Sequence, residues 1–139
     1  DSSKIPKLNV SRETCNDLET LISMIHEKNK EINIISKKTS EKPTIRDRHI
    51  IDSAQIIDFV DLNSNTTSDL GTGGGMPGLV VAIMMKKLKN KMKINLYEKS
   101  HHKCIFLKEV SKKWIHKLKI DKYSIKKSDL VISILLCFC

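Results

Sequence analysis

Arginine is nearly absent from this chain. Of 25 basic residues in 139, lysine supplies 22, and only Arg12, Arg46 and Arg48 remain. The planar guanidinium suits phosphate and guanine better than an ammonium does, so the net charge of +9 supports a nucleic-acid partner only weakly. The 19 isoleucines beside 22 lysines match the bias of an AT-rich coding sequence and need no functional reason. Glycine is missing everywhere but one place: all five lie between Gly71 and Gly78. Long apolar runs are lacking too. The longest, Leu130 to Cys139, is about half the length a membrane-spanning helix needs, so no membrane partner is expected. No basic-then-apolar leader opens the chain, which argues against secretion. With Asp1 and not Met in first place, the chain is expected to lack its true start. Cys15, Cys104, Cys137 and Cys139 form no C-x-x-C pair and have no histidine at zinc-ligand spacing. No metal is expected, and four free thiols fit a reducing cytoplasm.

What is present is a globular composition, 40% hydrophobic and 29% charged, of a length suited to one domain with a modest core. Charge is split unevenly. Residues 1–70 hold 10 Lys/Arg against 12 Asp/Glu, a net −2, and residues 71–139 hold 15 against 4, a net +11. The cationic second half can meet a polyanion such as RNA, because each neutralised phosphate releases counterions.

Residues 1–62 read as a helical part and 63–139 as part of a sheet. After an extended lead-in, Ser11 suits an N-cap. Cys15, Leu18, Leu21, Ile22, Ile25 and Ile32 then follow at helical spacing. Beyond a polar break at 37–42, Ser40 and Pro43 suit a second helix start. That helix is expected to run to about Val60, with Ile45, Ile56, Ile57 and Val60 inward. From there the pattern changes to a strand (Thr66 to Leu70), the glycine loop, a helix (Leu79 to Lys89) and a strand (Met92 to Tyr97) stopping at Glu98. A helix from His101 to Leu118 follows, with Ile105, Leu107 or Lys108, Val110 and Trp114 near its core face. Ile120 to Ile125 and Leu130 to Phe138 complete the series as strands. This order predicts an α/β fold with parallel pairing and right-handed crossovers.

A strand that ends in glycines and opens a helix is a nucleotide-type site. Glycine lets a ligand approach the backbone, and the helix start presents unpaired amides. Two ligands compete for it. Gly73-Gly74-Gly75-Met76-Pro77-Gly78 satisfies the dinucleotide pattern G-x-G-x-x-G, with Glu98 lying 20 residues beyond Gly78. That match starts too late, since the strand should end directly before the first glycine. Counted from Asp69-Leu70-Gly71, the sixth position is Met76. Asp69 favours the other ligand. Opposite charges 4 Å apart are worth about 4 kcal/mol at an effective dielectric near 20, and like charges cost as much. A diphosphate, as in NAD, is therefore a poor neighbour for Asp69, and the ammonium of S-adenosylmethionine a good one. Glu98 can accept from both ribose hydroxyls of either ligand. The structural alternative is a glycine-rich turn with an Asp that only fastens it.

Taken with Arg48-His49-Ile50-Ile51-Asp52-Ser53, the stretch Asp69 to Gly78 resembles a known family: the bacterial small-subunit ribosomal RNA methyltransferases that modify guanine N7, first called glucose-inhibited division protein B. Asn29-Lys30-Glu31-Ile32-Asn33-Ile34-Ile35-Ser36 is similar to the family's first helix ending, and Lys103 to Val110 to its segment after the second acidic strand end. The resemblance spans roughly residues 11–116. It implies a Rossmann-like, S-adenosylmethionine-dependent methyltransferase fold, a cytoplasmic monomer, and small-subunit rRNA or the ribosomal subunit as partner. It places Asp69, Gly71, Gly73, Gly75, Met76 and Glu98 at the cofactor, and Arg48, His49, Asp52 and Ser53 beside the cleft or the RNA, with RNA contacts expected from the Arg48 region and the basic second half. On a helix, however, Arg48 and Asp52, and His49 and Ser53, are each four apart, so an ion pair and a packing hydrogen bond explain the block equally well. No catalytic acid or base is implied, because guanine N7 carries an unprotonated lone pair.

After about His116 the resemblance fades. Asp129-Leu130-Val131-Ile132-Ser133 is similar to the start of a later family strand, but Ile134 to Cys139 follow where an Arg-Ala pair is expected. Asp121 and Asp129 match an adenine-pocket acid by position only. The sheet is expected to be incomplete, with an apolar strand as an uncovered edge. Thr66, Thr67 and Ser68 are also polar for a buried parallel strand. Three alternatives to an active enzyme stay open: a truncated or decayed relative without activity, an NAD-binding Rossmann protein, and an RNA-binding module.

Overall fold

In the computed structural model, residues 9–61, 63–64, 66–86 and 93–113 are described in full, and 118–126 and 129–136 by their backbone. Helix α1 (Arg12–Lys28) starts where its cap predicts: the Ser11 hydroxyl accepts from the Thr14 amide at 3.2 Å, satisfying an orphan donor of the first turn. Its stripe of Cys15, Leu18, Leu21, Ile22 and Ile25 is buried. Two ion pairs hold its polar flank. Arg46 grips Glu19 through two bonds of 2.9 Å, and Lys86 pairs with Asp17.

The second helical segment is present but irregular. α2 (Lys42–Ile45), with Pro43 in its first turn, passes into a π-helical stretch (Arg46–Ile51), then α3 (Asp52–Ala54) and a 3-10 turn (Gln55–Phe59). A π stretch takes more residues per turn, so the buried face shifts in phase along the chain. Ile45, Ile50, Ile51 and Ala54 are buried, whereas Ile56, expected inward, is 40% exposed, and Ile57 and Val60 are only partly covered.

β1 (Thr66–Leu70) and β2 (Lys93–Glu98) pair in parallel through α4 (Gly78–Met85), the unit that the glycine loop predicts. Every α4 residue but Met84 is buried, as befits a helix apolar on all sides. It packs on α1, α3 and β2. α5 (His101–Lys112) buries Cys104, Phe106, Leu107, Val110 and Ser111. Ile105, expected on that face, is 38% exposed, and Trp114 lies outside the described residues. The helix stops at Lys112, not Leu118, which opens the next strand.

β3 (Leu118–Lys126) and β4 (Asp129–Leu136) break the parallel pattern. The sheet order is β1-β2-β4-β3, with β4 antiparallel to both of its neighbours. Two residues separate β3 from β4, whereas a parallel connection needs about a dozen, so this spacing permits only a hairpin. The expected apolar edge is also overturned. β4 lies inside the sheet, and β3 and the polar β1 take the edges. That position explains Thr66, Thr67 and Ser68, because an edge strand with no fully buried residue has no need of apolar faces. The result is an α/β, Rossmann-like arrangement with an incomplete sheet. Asp121 and Asp129 fall on strands whose side chains lie outside the described set.

Candidate functional site

Parallel register delivers two acids to one rim. Asp69 stands opposite Leu96 and Leu70 opposite Tyr97, so β1 and β2 end together, with Glu98 one residue further on. The amides of Gly71 and Thr72 both donate to the Tyr97 carbonyl, at 2.9 and 3.0 Å, fastening the loop to the end of β2. Gly71, Gly73 and Gly75 adopt φ of +70°, +58° and +95°. The acids then hold the loop from either side. Asp69 Oδ2 accepts from the Thr72 hydroxyl (2.6 Å) and the Gly78 amide (3.0 Å). Glu98 Oε2 accepts from the Gly73 amide (2.8 Å), and Oε1 from the Ser100 amide (2.9 Å). Both bonds to Asp69 fall on Oδ2, which leaves Oδ1 of this half-buried carboxylate without a hydrogen-bond partner among the described residues.

These bonds also commit the start of α4. The Gly78 amide points at a carboxylate and the Leu79 amide at the Gly75 carbonyl, 2.6 Å away. A helix N-terminus attracts anions through such amides and its dipole; here Asp69 already fills that role. Glu98 is 9% exposed, more enclosed than the free acceptor expected at that strand end. Beneath it, the Cys104 thiol donates to the Glu98 carbonyl at 3.2 Å. Burial pushes that thiol up, with the Glu98 charge adding and Lys108 opposing.

The Arg48 to Ser53 block is split by its π-helical backbone. Ser53 is buried on α3, which packs on α4 behind the glycine loop. Arg48 and Asp52 are exposed, and no ion pair joins them, so that structural explanation fails. His49 turns the other way: its Nε2 lies 3.0 Å from Thr39 Oγ1, whose proton goes to the Ser36 carbonyl at 3.1 Å. Both contacts are satisfied when Nε2 carries the imidazole proton. Burial holds the His49 pKa below the ordinary imidazole value, with Asp52 pulling upward. A depressed folded pKa contributes stability that is present above the unfolded value, about 6.5, and lost as pH falls through the folded one. His49→Gln keeps a donor toward Thr39 without titrating. Urea midpoints between about pH 7.5 and 5.5 should therefore fall less in this variant than in the wild type; parallel profiles would refute the assignment.

Sequence reading missed two positioning groups. Asn29, 9% exposed, accepts the Ile34 and Ile35 amides on Oδ1 at 2.8 and 2.9 Å and so fixes the turn after α1. Ile34 then presses on the loop: a Cβ on Gly74 would lie 2.8 Å from Ile34 Cγ2. The only sequence signal was Asn29 itself, a helix-ending residue five positions from its partner. The second is Arg46, whose partner Glu19 lies 27 residues earlier, beyond any helical spacing.

The family model of rRNA small subunit methyltransferase G matches residues 14–133. Ribosomal RNA small subunit methyltransferase G of Pelagibacter ubique is 59% identical over 104 residues, covering 75% of this chain and 49% of that protein. The proteins of the same name from Parvibaculum lavamentivorans and Rickettsia africae are each 33% identical, over 121 and 130 residues. Those alignments cover 84% and 94% of this chain, and 52% and 64% of the relatives. The chain thus spans about half the length of the first two relatives. On the extent of these matches, it belongs to the rRNA small subunit methyltransferase G family.

Proposed function

We propose that the chain binds S-adenosylmethionine at the Gly71–Gly78 loop and serves N7 methylation of a guanine in small-subunit rRNA. One observation carries the choice of cofactor: Asp69 occupies the Gly78 amide at the start of α4, which a diphosphate would use, and keeps Oδ1 open for an ammonium. The remaining residues fit the same group. A Cβ on the exposed Gly71 would meet nothing within 4 Å, so a ligand can approach the backbone there. Each Glu98 oxygen takes one amide and keeps a lone pair for a ribose hydroxyl. Met76 is half-buried, its Cε 3.2 Å from where a Gly74 Cβ would stand.

The cofactor supplies an electrophilic methyl group on a sulfonium. Because the guanine nitrogen needs no proton removed, the protein contributes alignment and electrostatic support. Asp69 holds the amino-acid end, Glu98 the ribose, and the loop backbone shapes the floor; no residue acts as an acid or base. Calorimetric titration tests this: S-adenosylmethionine should bind and NAD should not, and NAD binding alone would overturn it.

Transfer of labelled methyl to small-subunit rRNA tests the methylation part of this reading, and binding without transfer would overturn that part.

A further inference from the structure

Next to the glycine loop lies a cavity of about 300 Å³, lined by Asn33, Ile34, Ile35, Ser36, Lys37 and Lys103. We infer that this cavity holds a backbone phosphate of the RNA substrate, with Lys37 and Lys103 as its cationic walls. The inference rests on the rRNA-methylation reading and adds to it the site of substrate contact.

Position comes first. Ile34 and Ile35 line the cavity and also reach the loop, their Cγ2 atoms 2.8 and 3.6 Å from where a Gly74 Cβ would stand. A phosphate held here is thus separated from the cofactor loop by one wall of side chains. Chemistry comes second. Lys37 is exposed and Lys103 half-buried, and neither ammonium forms an ion pair among the described residues. The Ser36 hydroxyl accepts the Lys38 amide and keeps its own proton for an anion. Among the described residues, no acidic side chain lines the cavity. Rigidity comes third. Asn29 pins the turn at Ile34 and Ile35, and His49 pins it through Thr39 at Ser36. Groups that must meet a ligand in one geometry need such support. In this arrangement His49 braces the cationic turn.

The test uses the whole chain and a mixed-sequence single-stranded RNA oligonucleotide, with affinity read by anisotropy across a salt series. Lys37→Gln/Lys103→Gln should weaken RNA binding about tenfold near 0.1 M salt and flatten the log K against log salt slope by about one. Its S-adenosylmethionine affinity should stay within about twofold. Lys112→Gln/Lys113→Gln, exposed at the other end of α5, should change RNA binding by less than about threefold. RNA affinity indifferent to Lys37 and Lys103 overturns the site and leaves the methyltransferase reading standing. So does a loss confined to S-adenosylmethionine, which would assign the lysines to the cofactor carboxylate. Lysine-dependent RNA binding without S-adenosylmethionine binding supports the phosphate site and overturns the methyltransferase reading. No RNA binding by the wild type overturns the site and leaves the methyltransferase reading to the cofactor titration.

Discussion

Alanine at Gly75 is expected to cost about 3 kcal/mol of folding stability, against about 1 kcal/mol for alanine at Gly71. Both glycines have positive φ, +95° and +70°, where an L side chain costs about 1–2 kcal/mol. What separates them is space. A Cβ on Gly75 would overlap the Leu79 side chain and stand 3.1 Å from Leu107 Cδ2, whereas at Gly71 nothing lies within 4 Å. Leu79 and Leu107 are 2% and 0% exposed, so neither has room to withdraw, and overpacking of this kind adds about 1–3 kcal/mol. Against a total of roughly 5–15 kcal/mol, the Gly75 variant loses a large share of its stability and with it the shape of the loop. Urea midpoints measure the difference. Equal midpoints for the two variants would mean that the loop does not pack on α4 and α5 as described.

The pattern of these glycines makes the central unit legible in the sequence alone. Five glycines in eight positions, an acid before them and another at the next strand end leave few arrangements other than β1–loop–α4–β2. The acids' part as loop fasteners is not legible there, because it depends on which amide each carboxylate oxygen reaches. The R-H-x-x-D-S block is visible as a motif, yet its helical spacing misleads: a π stretch at Arg46–Ile51 sends His49 to Thr39, leaves Arg48 and Asp52 unpaired with each other, and turns Ile56 outward. Periodicity at 3.6 residues cannot register such a change of phase. The β3–β4 hairpin, by contrast, is available in the two-residue gap between Lys126 and Asp129, which the expectation of continued parallel pairing overrode. Asn29 shows the opposite limit. A buried amide five residues from the peptides it holds has no periodic signature at all.

Asp69 has both a structural and a proposed electrostatic role, and one substitution separates them. Asp69→Asn can place its carbonyl oxygen at the Oδ2 position, keeping the Thr72 and Gly78 bonds, and its amide nitrogen at the Oδ1 position. Stability should then stay within about 1 kcal/mol of wild type, since neither buried donor is stranded. At the cofactor the change is severe: a negative oxygen is replaced by an NH2 group that faces the ammonium. The full attraction at 4 Å is about 4 kcal/mol, and solvent at this half-buried position reduces it, so affinity for S-adenosylmethionine should fall about a hundredfold, or roughly 2.7 kcal/mol. Asp69→Ala should show the same loss of binding and, in addition, about 1–3 kcal/mol of destabilisation as the Thr72 hydroxyl and Gly78 amide lose their acceptor. NAD offers the opposite sign, because removing the carboxylate charge relieves repulsion of a diphosphate and cannot weaken its binding by this mechanism. Calorimetry with both ligands on both variants therefore reads charge apart from fold. If the asparagine variant binds S-adenosylmethionine as tightly as wild type, Asp69 is a fastener of the loop and nothing more.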